Sequence, residues 1–332
     1  MSLLSTPARQ HAIKRSQPDF IHPMLATLTD EHFSDADWIF ERKLDGERCI
    51  AVRKRHRVTL YSRNHNSLNA TYPELVEALE GQSASGYIVD GEIVAFDGNL
   101  TSFSRLQQRM QSTRTRKTAE SDKPSVYFYL FDICYAEGRD LSRVPLRYRK
   151  TALKNLLDFT DPLRLTAYRC EHGSQLYRQA CRKGWEGLIA KRYNGIYRHG
   201  RSKDWLKFKC VGRQELIVVG FTDPDGQRPG FGALLVGYHS GDVLRYAGKV
   251  GTGFDHDTLK TLRRKMDKLK RKSPPVAEEN LPAGGVHWIS PQLVAEIGFT
   301  EWTDKGRLRH PRFIGLRRDK PASEVKRERP HS

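Results

Sequence analysis

Short runs in which apolar and polar residues alternate dominate the chain between Trp38 and Lys209, and a period of two is typical of half-buried β-strands. Four segments with helical spacing interrupt these runs, and the last of them stops at Gly184. The predicted strands are WIFERK, RCIAV, RVTLYS, GYIVDGEIVAF, SVYFYLFDICY, EGLIAKR and WLKFK, and the predicted helices are YPELVEALE, SFSRLQQRMQ, RYRKTALKNLLDF and SQLYRQACRKG. This mixture predicts an α+β fold with antiparallel sheets rather than a doubly wound one.

The pattern changes after Cys210, where short apolar runs are separated by glycine, proline and Asp-Gly turns. A basic helix, TLKTLRRKMDKLKRK, and two later strands, VAEIGFTEWT and RFIGLRR, follow this stretch. About five strands and one helix predict a small oligonucleotide-binding (OB) β-barrel. We therefore place a domain boundary near residue 210, and we expect residues 1–20, which are polar and basic, to form a mobile arm.

The charge balance indicates a polyanionic partner. The sequence has 57 Lys and Arg against 39 Asp and Glu, a formal net charge of +18, which favours nucleic acid over an acidic membrane surface. No apolar run is long enough for a signal peptide or a membrane span, so we expect a soluble, cytosolic protein. The cysteines show no zinc-ligand spacing and are interpreted as reduced thiols: Cys49, Cys134, Cys170, Cys181 and Cys210.

Two basic segments are candidates for contact with nucleic acid. Residues 258–272 carry eight Lys or Arg and the single acid Asp267, which favours phosphate contact over an ordinary solvated helix face. Residues 109–123 are also polar and basic, and they predict a loop that orders on DNA.

The stretch FERKLDGERCI places Lys43 two residues before the pair Asp45-Gly46, next to an apolar run. Asp-Gly between alternating segments is a strong hairpin signal, so one interpretation is a simple β-hairpin. The other interpretation is that the corner presents Lys43 as a nucleophile. This stretch alone leaves both interpretations open.

Four further stretches place charged residues in or beside predicted strands. They are Ser62-Arg63-Asn64, Asp90-Gly91-Glu92, the run from Glu186 to Lys191, and the run from Trp205 to Lys209. Each has an ordinary structural interpretation, either a hairpin turn at Asp90-Gly91 or solvated charges elsewhere. Their joint occurrence favours one site over independent accidents.

Together these residues suit one kind of chemistry. A lysine becomes nucleophilic where burial and neighbouring cations lower its pKa, and attack on phosphorus would give a phosphoramide. The candidate cations are Arg63, Lys191, Lys207 and Lys209, and the candidate ligands for Mg²⁺ (or Mn²⁺) are Glu92 and Glu186. Because no G-x-x-x-x-G-K-[ST] motif is present, nucleotide binding would not use a P-loop.

Residues 43–48, KLDGER, resemble the K-x-D-G-x-R motif of nucleotidyltransferases that form a covalent lysyl-nucleotide, namely ATP-dependent DNA ligases, RNA ligases and mRNA capping enzymes. The later stretches resemble the remaining motifs of this superfamily in order. From about residue 20 to 326 the chain is most similar to the ligase module of bacterial ligase D, the end-joining DNA ligase, and to its stand-alone relatives. The matching segments are PMLA at 23–26, SRN, LQQR at 106–109, EGLIAKR, DWLKFKCVGRQEL and FGALLVG.

The resemblance implies an antiparallel-sheet, ATP-grasp-like nucleotidyltransferase (adenylation) domain at residues 21–210, an OB-fold domain at 211–326 and a tail at 327–332. It also implies a ligase without the helical DNA-binding domain of larger ligases and without the polymerase and phosphoesterase modules of ligase D. His65 departs from the pattern, because the related group often has glycine after SRN.

The resemblance further implies roles around the nucleotide. Lys43 would carry AMP, Glu41 would lie beside the adenine, and Phe131 would stack on the adenine ring. Arg48 and Arg63 would contact the ribose or the phosphates.

The remaining implied roles concern the phosphates. Glu92 would hold the ribose or a metal, and Glu186 would bind the metal. Lys191, Lys207 and Lys209 would meet the α-phosphate. In the second domain Arg317, Asp319 and Lys320 belong to a stretch that resembles the R-x-D-K motif, which orients the leaving pyrophosphate.

The expected function is therefore ATP-dependent sealing of breaks in duplex DNA through lysyl-AMP and DNA-adenylate, in DNA repair or end joining. The expected partners are nicked or broken DNA and Ku, with no membrane partner and a monomeric chain. One alternative is RNA ligation or another lysyl-nucleotidyl transfer such as capping, and another is a non-catalytic DNA-binding module. Salt-sensitive DNA binding without AMP transfer would identify the last of these.

Overall fold

The computed structural model of the chain describes residues 4–115, 123–210, 212–224, 226, 228–277, 281–299 and 301–328. These residues form two compact units, the first ending at Cys210 and the second formed by the residues that follow. Each unit has its own hydrophobic core.

Five of the six described helices lie where the apolar spacing predicts them, with shifts at their ends, and α1 was not predicted. They are α1 (Thr6–His11), α2 (Pro73–Glu80), α3 (Phe103–Thr115), α4 (Leu146–Leu156), α5 (Gly173–Arg182) and α6 (His256–Asp267). Proline occupies the first turn of α2, where its missing N–H costs nothing. Gly184, just beyond α5, has φ +71°, a left-handed conformation that favours glycine and ends the helix as predicted.

Thirteen strands are present among the described residues of the first unit, and they form two sheets. The strands are β1 (Ile13–Lys14), β2 (Leu25–Leu28), β3 (Trp38–Arg42), β4 (Glu47–Lys54), β5 (Arg57–Ser62), β6 (Gly86–Asp97), β7 (Leu100–Thr101), β8 (Val126–Ala136), β9 (Arg139–Asp140), β10 (Leu163–Leu165), β11 (Tyr168–Cys170), β12 (Gly187–Arg192) and β13 (Arg201–Lys209). The large sheet has the order β1-β9-β8-β6-β4-β5, with β10 beside β8 and β7 beside β6. The small sheet has the order β11-β3-β12-β13-β2.

The two faces of the small sheet have different residues because side chains alternate along each strand. Phe40, Leu188 and Phe208 are buried on one face and pack with residues of α5. Glu41, Ile189 and Lys207 are paired across three neighbouring strands and therefore share the opposite face. That second face carries the charged candidates.

The large sheet supplies an apolar layer near this charged face. Ile50, Val52 and Phe131 of the large sheet form a buried cluster with Trp205 of β13 and with Met24. The opposite face of the large sheet packs on the main core of the unit, which includes residues of α2, α3 and α4. The charged face of the small sheet therefore borders the large sheet through this cluster.

The second unit is built on one antiparallel sheet of six strands, in the order β16-β15-β14-β18-β17 with β21 beside β18. Its strands are β14 (Gly212–Thr222), β15 (Leu234–Ser240), β16 (Val243–Val250), β17 (Lys270–Arg271), β18 (Val286–Phe299), β19 (Glu301–Trp302), β20 (Leu308–Arg309) and β21 (Arg312–Arg317). β19 and β20 form a separate pair, and a 3₁₀ turn spans Ala322–Glu324. Leu259, Leu262 and Met266 attach α6 to the core of this unit.

The corner at Asp45-Gly46 is not a hairpin, because β3 belongs to the small sheet and β4 to the large one. A Cβ at Gly46 would lie 2.2 Å from the carbonyl oxygen of Ile93. Glycine is required here because the crossing chain touches the large sheet, not because it turns back on itself. The hairpin interpretation of Asp90-Gly91 is also wrong, since both residues lie inside β6.

Two other expectations differ from the structure. Leu4, Ala8 and Ala12 are buried in the main core, so the described part of the expected N-terminal arm packs on the first unit. Of the expected loop at 109–123, residues up to Thr115 belong to α3, and 116–122 lie outside the described residues.

The prediction that all cysteines are reduced thiols is wrong for one pair. Cys181 and Cys210 form a disulfide, whereas Cys49, Cys134 and Cys170 are free thiols. The end of α5 and the end of β13 lie side by side, and the backbone N–H of Cys210 donates to the carbonyl of Glu186. A sequence separation of 29 residues gave no local signal of this proximity.

Candidate active site

Lys43 directly follows the last residue of β3. Its backbone is held beside β12, since its N–H donates to the carbonyl of Gly187 at 2.9 Å. Its Nζ lies 2.6 Å from the Glu186 carboxylate. The Lys43 side chain is 21% exposed, whereas that of Glu186 is 4% exposed. The amine is therefore paired with a carboxylate yet accessible to a ligand from solvent.

Glu41 lies two residues before Lys43 but forms a closed ion-pair network. Its carboxylate pairs with the ammonium groups of Lys191, at 2.7 Å, and Lys150 of α4. All three side chains are nearly inaccessible to solvent. Burial, with the charge of Lys150 adding to it, lowers the pKa of Lys191 to about 8, although Glu41 opposes that shift.

Arg48, at the start of β4, is fixed by the large sheet. Its guanidinium donates to both carboxylate oxygens of Asp90, at 2.5 and 2.6 Å, and to the carbonyl of Met24 at 3.0 Å. The hydroxyl of Tyr197 also donates to Asp90 at 2.6 Å. This bidentate pair presets the orientation of Arg48 next to the charged face.

Phe131 is almost completely buried and lies between cations. The guanidinium carbon of Arg48 is 4.8 Å from its ring centroid, and the Nζ of Lys191 is 4.1 Å from it. The Nζ of Lys191 is also 4.0 Å from the ring centroid of Trp205. An aromatic ring that lies against two cations offers an electron-rich face, which suits either a cation or a planar base.

Lys207 and Lys209 lie on β13, opposite Ile189 and Gly187 of β12. This register places the two lysines on one face of the small sheet, as predicted. Glu41 lies on the same face as Lys207. Both lysines are half-buried.

The other two first-unit candidates belong to the large sheet. Glu92 lies on β6 directly opposite Arg48 of β4. Arg63 follows β5, one residue beyond the paired positions Cys49 and Ser62, and is half-buried in a turn. The turn contains His65 at φ +64°, a left-handed conformation that favours glycine.

The second-unit candidates form a separate network within their own unit. Arg317 donates to Asp319 through two nitrogens, at 2.9 and 2.7 Å, and pairs with Glu296 at 3.2 Å. Lys320 pairs with Glu215 at 3.4 Å. Burial alone would lower the pKa of Arg317, but Asp319 and Glu296 raise it well above its usual value.

The described residues contain no group of three His, Cys, Asp or Glu side chains that could hold a metal ion by themselves. Mg²⁺ is commonly bound by one or two carboxylates together with water and substrate phosphates. Glu186 and Glu92 each offer one carboxylate, as such a site needs when substrate and water supply the remaining donors.

Sequence reasoning missed several residues of this region. Lys150 lies on an amphipathic helix and carries no signal that would distinguish it from a surface lysine. Asp90 is a carboxylate in an otherwise apolar strand, and this feature of the sequence indicates a buried partner for a cation such as Arg48. Tyr197 and Trp205 complete the surroundings of Arg48 and Lys191.

The sequence matches two family descriptions. One is the ATP dependent DNA ligase domain, over residues 23–209, and the other is the ATP dependent DNA ligase C terminal region, over residues 227–320. The chain belongs to the ATP-dependent DNA ligase family.

Individual relatives agree with this assignment. The chain is 39% identical over 326 residues to the multifunctional non-homologous end joining protein LigD of Pseudomonas aeruginosa, covering 96% of this chain and 38% of that protein. It is 35% identical over 317 residues to a LigD of Mycobacterium tuberculosis, covering 93% of this chain and 40% of that protein. The chain thus spans about two fifths of the length of these curated relatives.

A solved structure of mycobacterial DNA ligase D complexed with ATP and MES is also similar, with a TM-score of 0.67 and 32% identity over 93% of this chain and 98% of that one. Family membership and this likeness confirm the predicted fold class, an antiparallel-sheet nucleotidyltransferase domain followed by an OB domain. They also confirm the predicted enzyme class, an ATP-dependent DNA ligase. Among the described residues, no helix is long and apolar enough to cross a membrane.

Proposed function

We propose that Lys43 is the residue that carries AMP when this chain seals DNA. The observation that carries the proposal is the Lys43–Glu186 pair, in which a 21% exposed lysine lies 2.6 Å from a buried carboxylate at the edge of a strongly basic sheet face. A charged lysine cannot attack phosphorus, and the Glu186 carboxylate favours the charged form. Lys43 must therefore lose a proton before it attacks, and solvent, which reaches its 21% exposed side chain, takes that proton.

In the first step the Nζ of Lys43 gives up a proton and forms a bond to the α-phosphorus of ATP, while the bond to pyrophosphate breaks. Glu186 orients the amine beforehand through its 2.6 Å contact. Lys191, Lys207 and Lys209 neutralise the α-phosphate oxygens, and Arg48, Arg63 and Glu92 hold the ribose and phosphates. A Mg²⁺ or Mn²⁺ ion bound by Glu92, Glu186 and the phosphates would stabilise the charge that develops on the phosphate oxygens.

One aromatic and one acidic side chain are assigned to the adenine. Phe131 stacks on the ring, and Glu41 lies beside it. Arg48 and Lys191 both lie within 5 Å of the Phe131 ring centroid, and we propose that adenine binds beside these cations without displacing either. In the second unit Arg317, Asp319 and Lys320 are assigned to the leaving pyrophosphate.

In the later steps AMP passes from Lys43 to a 5′-phosphate at a DNA break, and a 3′-hydroxyl then displaces AMP. We propose a role in end joining because relatives with that name match nearly the whole chain. A cytosolic monomer that cooperates with Ku is the arrangement we propose. Nicks, cohesive ends and blunt ends ligated with and without Ku would separate end joining from nick repair.

The decisive experiment is an intact-mass measurement after incubation with ATP and Mg²⁺. Wild-type protein should gain the mass of one AMP, and Lys43→Ala should gain none. Lys191→Arg is a useful comparison because it alters the buried network without removing the nucleophile. AMP labelling that persists in Lys43→Ala would refute the assignment, and a nick with RNA on both sides tests the RNA-ligase alternative.

A further inference from the structure

Helix α6 of the second unit carries a predominantly positive surface that the proposed chemistry does not use. Its buried residues, Leu259, Leu262 and Met266, all lie on one side of the helix. At 100° per residue, Lys260, Arg264 and Lys268 fall on the opposite side, and all three are exposed. We call these three residues the α6 cation row.

Acidic residues do little to neutralise the α6 cation row. Asp267 is engaged by Arg263 at 3.0 Å and by Lys270 at 2.9 Å, neither of which belongs to the row. Asp255 caps the helix by accepting from the N–H of Thr258, and Asp257 lies in the first turn. Within the described part of the chain, no carboxylate forms an ion pair with Lys260, Arg264 or Lys268. Positive charge therefore accumulates toward the C-terminal end of α6.

The surface continues beyond the helix. Arg271, at the end of β17, and Lys272 after it are exposed, and β17 is an edge strand that pairs only with β18 in its sheet. A helical spacing of four residues separates the cations of the α6 cation row by about 6 Å, so the three span about 12 Å along the helix. Phosphates of one DNA strand follow each other every ~3.4 Å along the duplex axis. The α6 cation row thus has the length of a short run of phosphates.

We infer that the α6 cation row binds the phosphate backbone of duplex DNA. This inference rests on the proposed ligase function for the choice of DNA as the polyanion, and on charge complementarity for the surface. The rigid attachment of α6 to the core keeps the three cations in register. The contact is with the backbone, so it positions DNA on the second unit without reading sequence.

The test compares two matched triple variants of the full chain. The first is Lys260→Gln, Arg264→Gln and Lys268→Gln, and the control neutralises three exposed cations elsewhere in the second unit, Arg245→Gln, Lys249→Gln and Lys305→Gln. Binding to a nicked duplex is measured over a series of KCl concentrations, and AMP labelling is measured without DNA. Circular dichroism and the thermal midpoint verify folding.

The α6 variant should bind nicked duplex about 10-fold to 100-fold more weakly at physiological salt, and its log–log salt slope should fall by about 3 in magnitude. AMP labelling should equal that of wild type. A variant with Lys260→Arg and Lys268→Arg should retain wild-type binding, since it preserves the charge.

Wild-type affinity and slope in the α6 variant, or an equal loss in the control, would overturn the inference. A surface that serves an acidic protein instead would also leave DNA binding unchanged. If wild-type protein itself takes no AMP, the proposed function fails, yet the difference in salt slope still decides the role of the α6 cation row.

Discussion

Two lysine–carboxylate pairs of the first unit use the same chemistry in different surroundings. Lys43–Glu186 and Lys191–Glu41 have nearly equal lengths, 2.6 and 2.7 Å. The Lys43 side chain is 21% exposed, whereas the Lys191 side chain is 1% exposed. A ligand can open the first pair and replace its lost contacts, but opening the second would leave a charge buried in the protein.

This difference in exposure predicts that the two pairs respond differently to substitution. The open pair lies at the strand edge, where solvent and substrate reach it, and the closed pair lies beneath Phe131 and Trp205. We therefore expect substitutions in the open pair to change activity with little effect on stability. Substitutions in the closed pair should have a clear stability effect.

The largest expected effect is on the open pair. Glu186→Gln removes the carboxylate that orients Lys43 and serves as a proposed metal ligand, so the rate of AMP transfer to Lys43 should fall about 100-fold or more. The free energy of unfolding should change little, because the Lys43 side chain is 21% exposed and water can solvate its charge once the carboxylate is removed. Single-turnover labelling with ATP and urea unfolding measure the two quantities. A large loss of stability with an unchanged rate of AMP transfer would contradict the expectation that the open pair affects activity rather than stability.

The closed pair is tested by Glu41→Gln. This change leaves the ammonium groups of Lys150 and Lys191 without their shared carboxylate, and breaking a buried ion pair costs about 3–5 kcal/mol. Glu301→Gln provides the matched control, since Glu301 pairs with Arg309 with both side chains more than half exposed. Urea unfolding should show the loss for Glu41→Gln and almost none for Glu301→Gln; equal effects would contradict the distinction.

The smallest effect, and the sharpest, concerns pH. The pKa of Lys191 is about 8 in the folded protein against an ordinary value of 10.5, so between these values the unfolded chain binds more protons. The stability of wild type relative to Lys191→Met should therefore be constant below about pH 8 and rise as the pH increases toward 10.5. The difference in the free energy of unfolding between the two proteins should rise by at most ~1.4 kcal/mol per pH unit.

The measurement is the free energy of unfolding of both proteins at several pH values, since the methionine side chain of the Lys191→Met variant cannot titrate. Parallel curves for wild type and Lys191→Met would show that Lys191 keeps its ordinary pKa despite its burial.

The sequence predicted helices and most strands well because their apolar spacing is local. α5 ends just before Gly184, the stop that its sequence predicts. Contacts between residues that are distant in sequence were harder to predict. Lys43 and Glu186 are 143 residues apart, and only the joint occurrence of charged stretches and their resemblance to known motifs predicted one site.

Features that neither a local pattern nor a known motif indicates were predicted wrongly or not at all. The Cys181–Cys210 disulfide depends on how α5 packs against the end of β13, which spacing does not encode. Lys150 has a helical spacing that fits a surface lysine, yet α4 presents it to Glu41. Asp45-Gly46 has the composition of a hairpin, and only the sheet assignment of β3 and β4 excludes one.

That crossing at Gly46 also limits how far the two sheets can separate. Only four residues, Lys43 to Gly46, join β3 to β4, and a fully extended chain between the adjoining strand ends reaches about 18 Å at most. The linker that contains Lys43 therefore acts as a tether of fixed length between the sheets. A separation of the sheets that approached this limit would displace Lys43, so the linker sets an upper bound on the gap that a bound molecule can open.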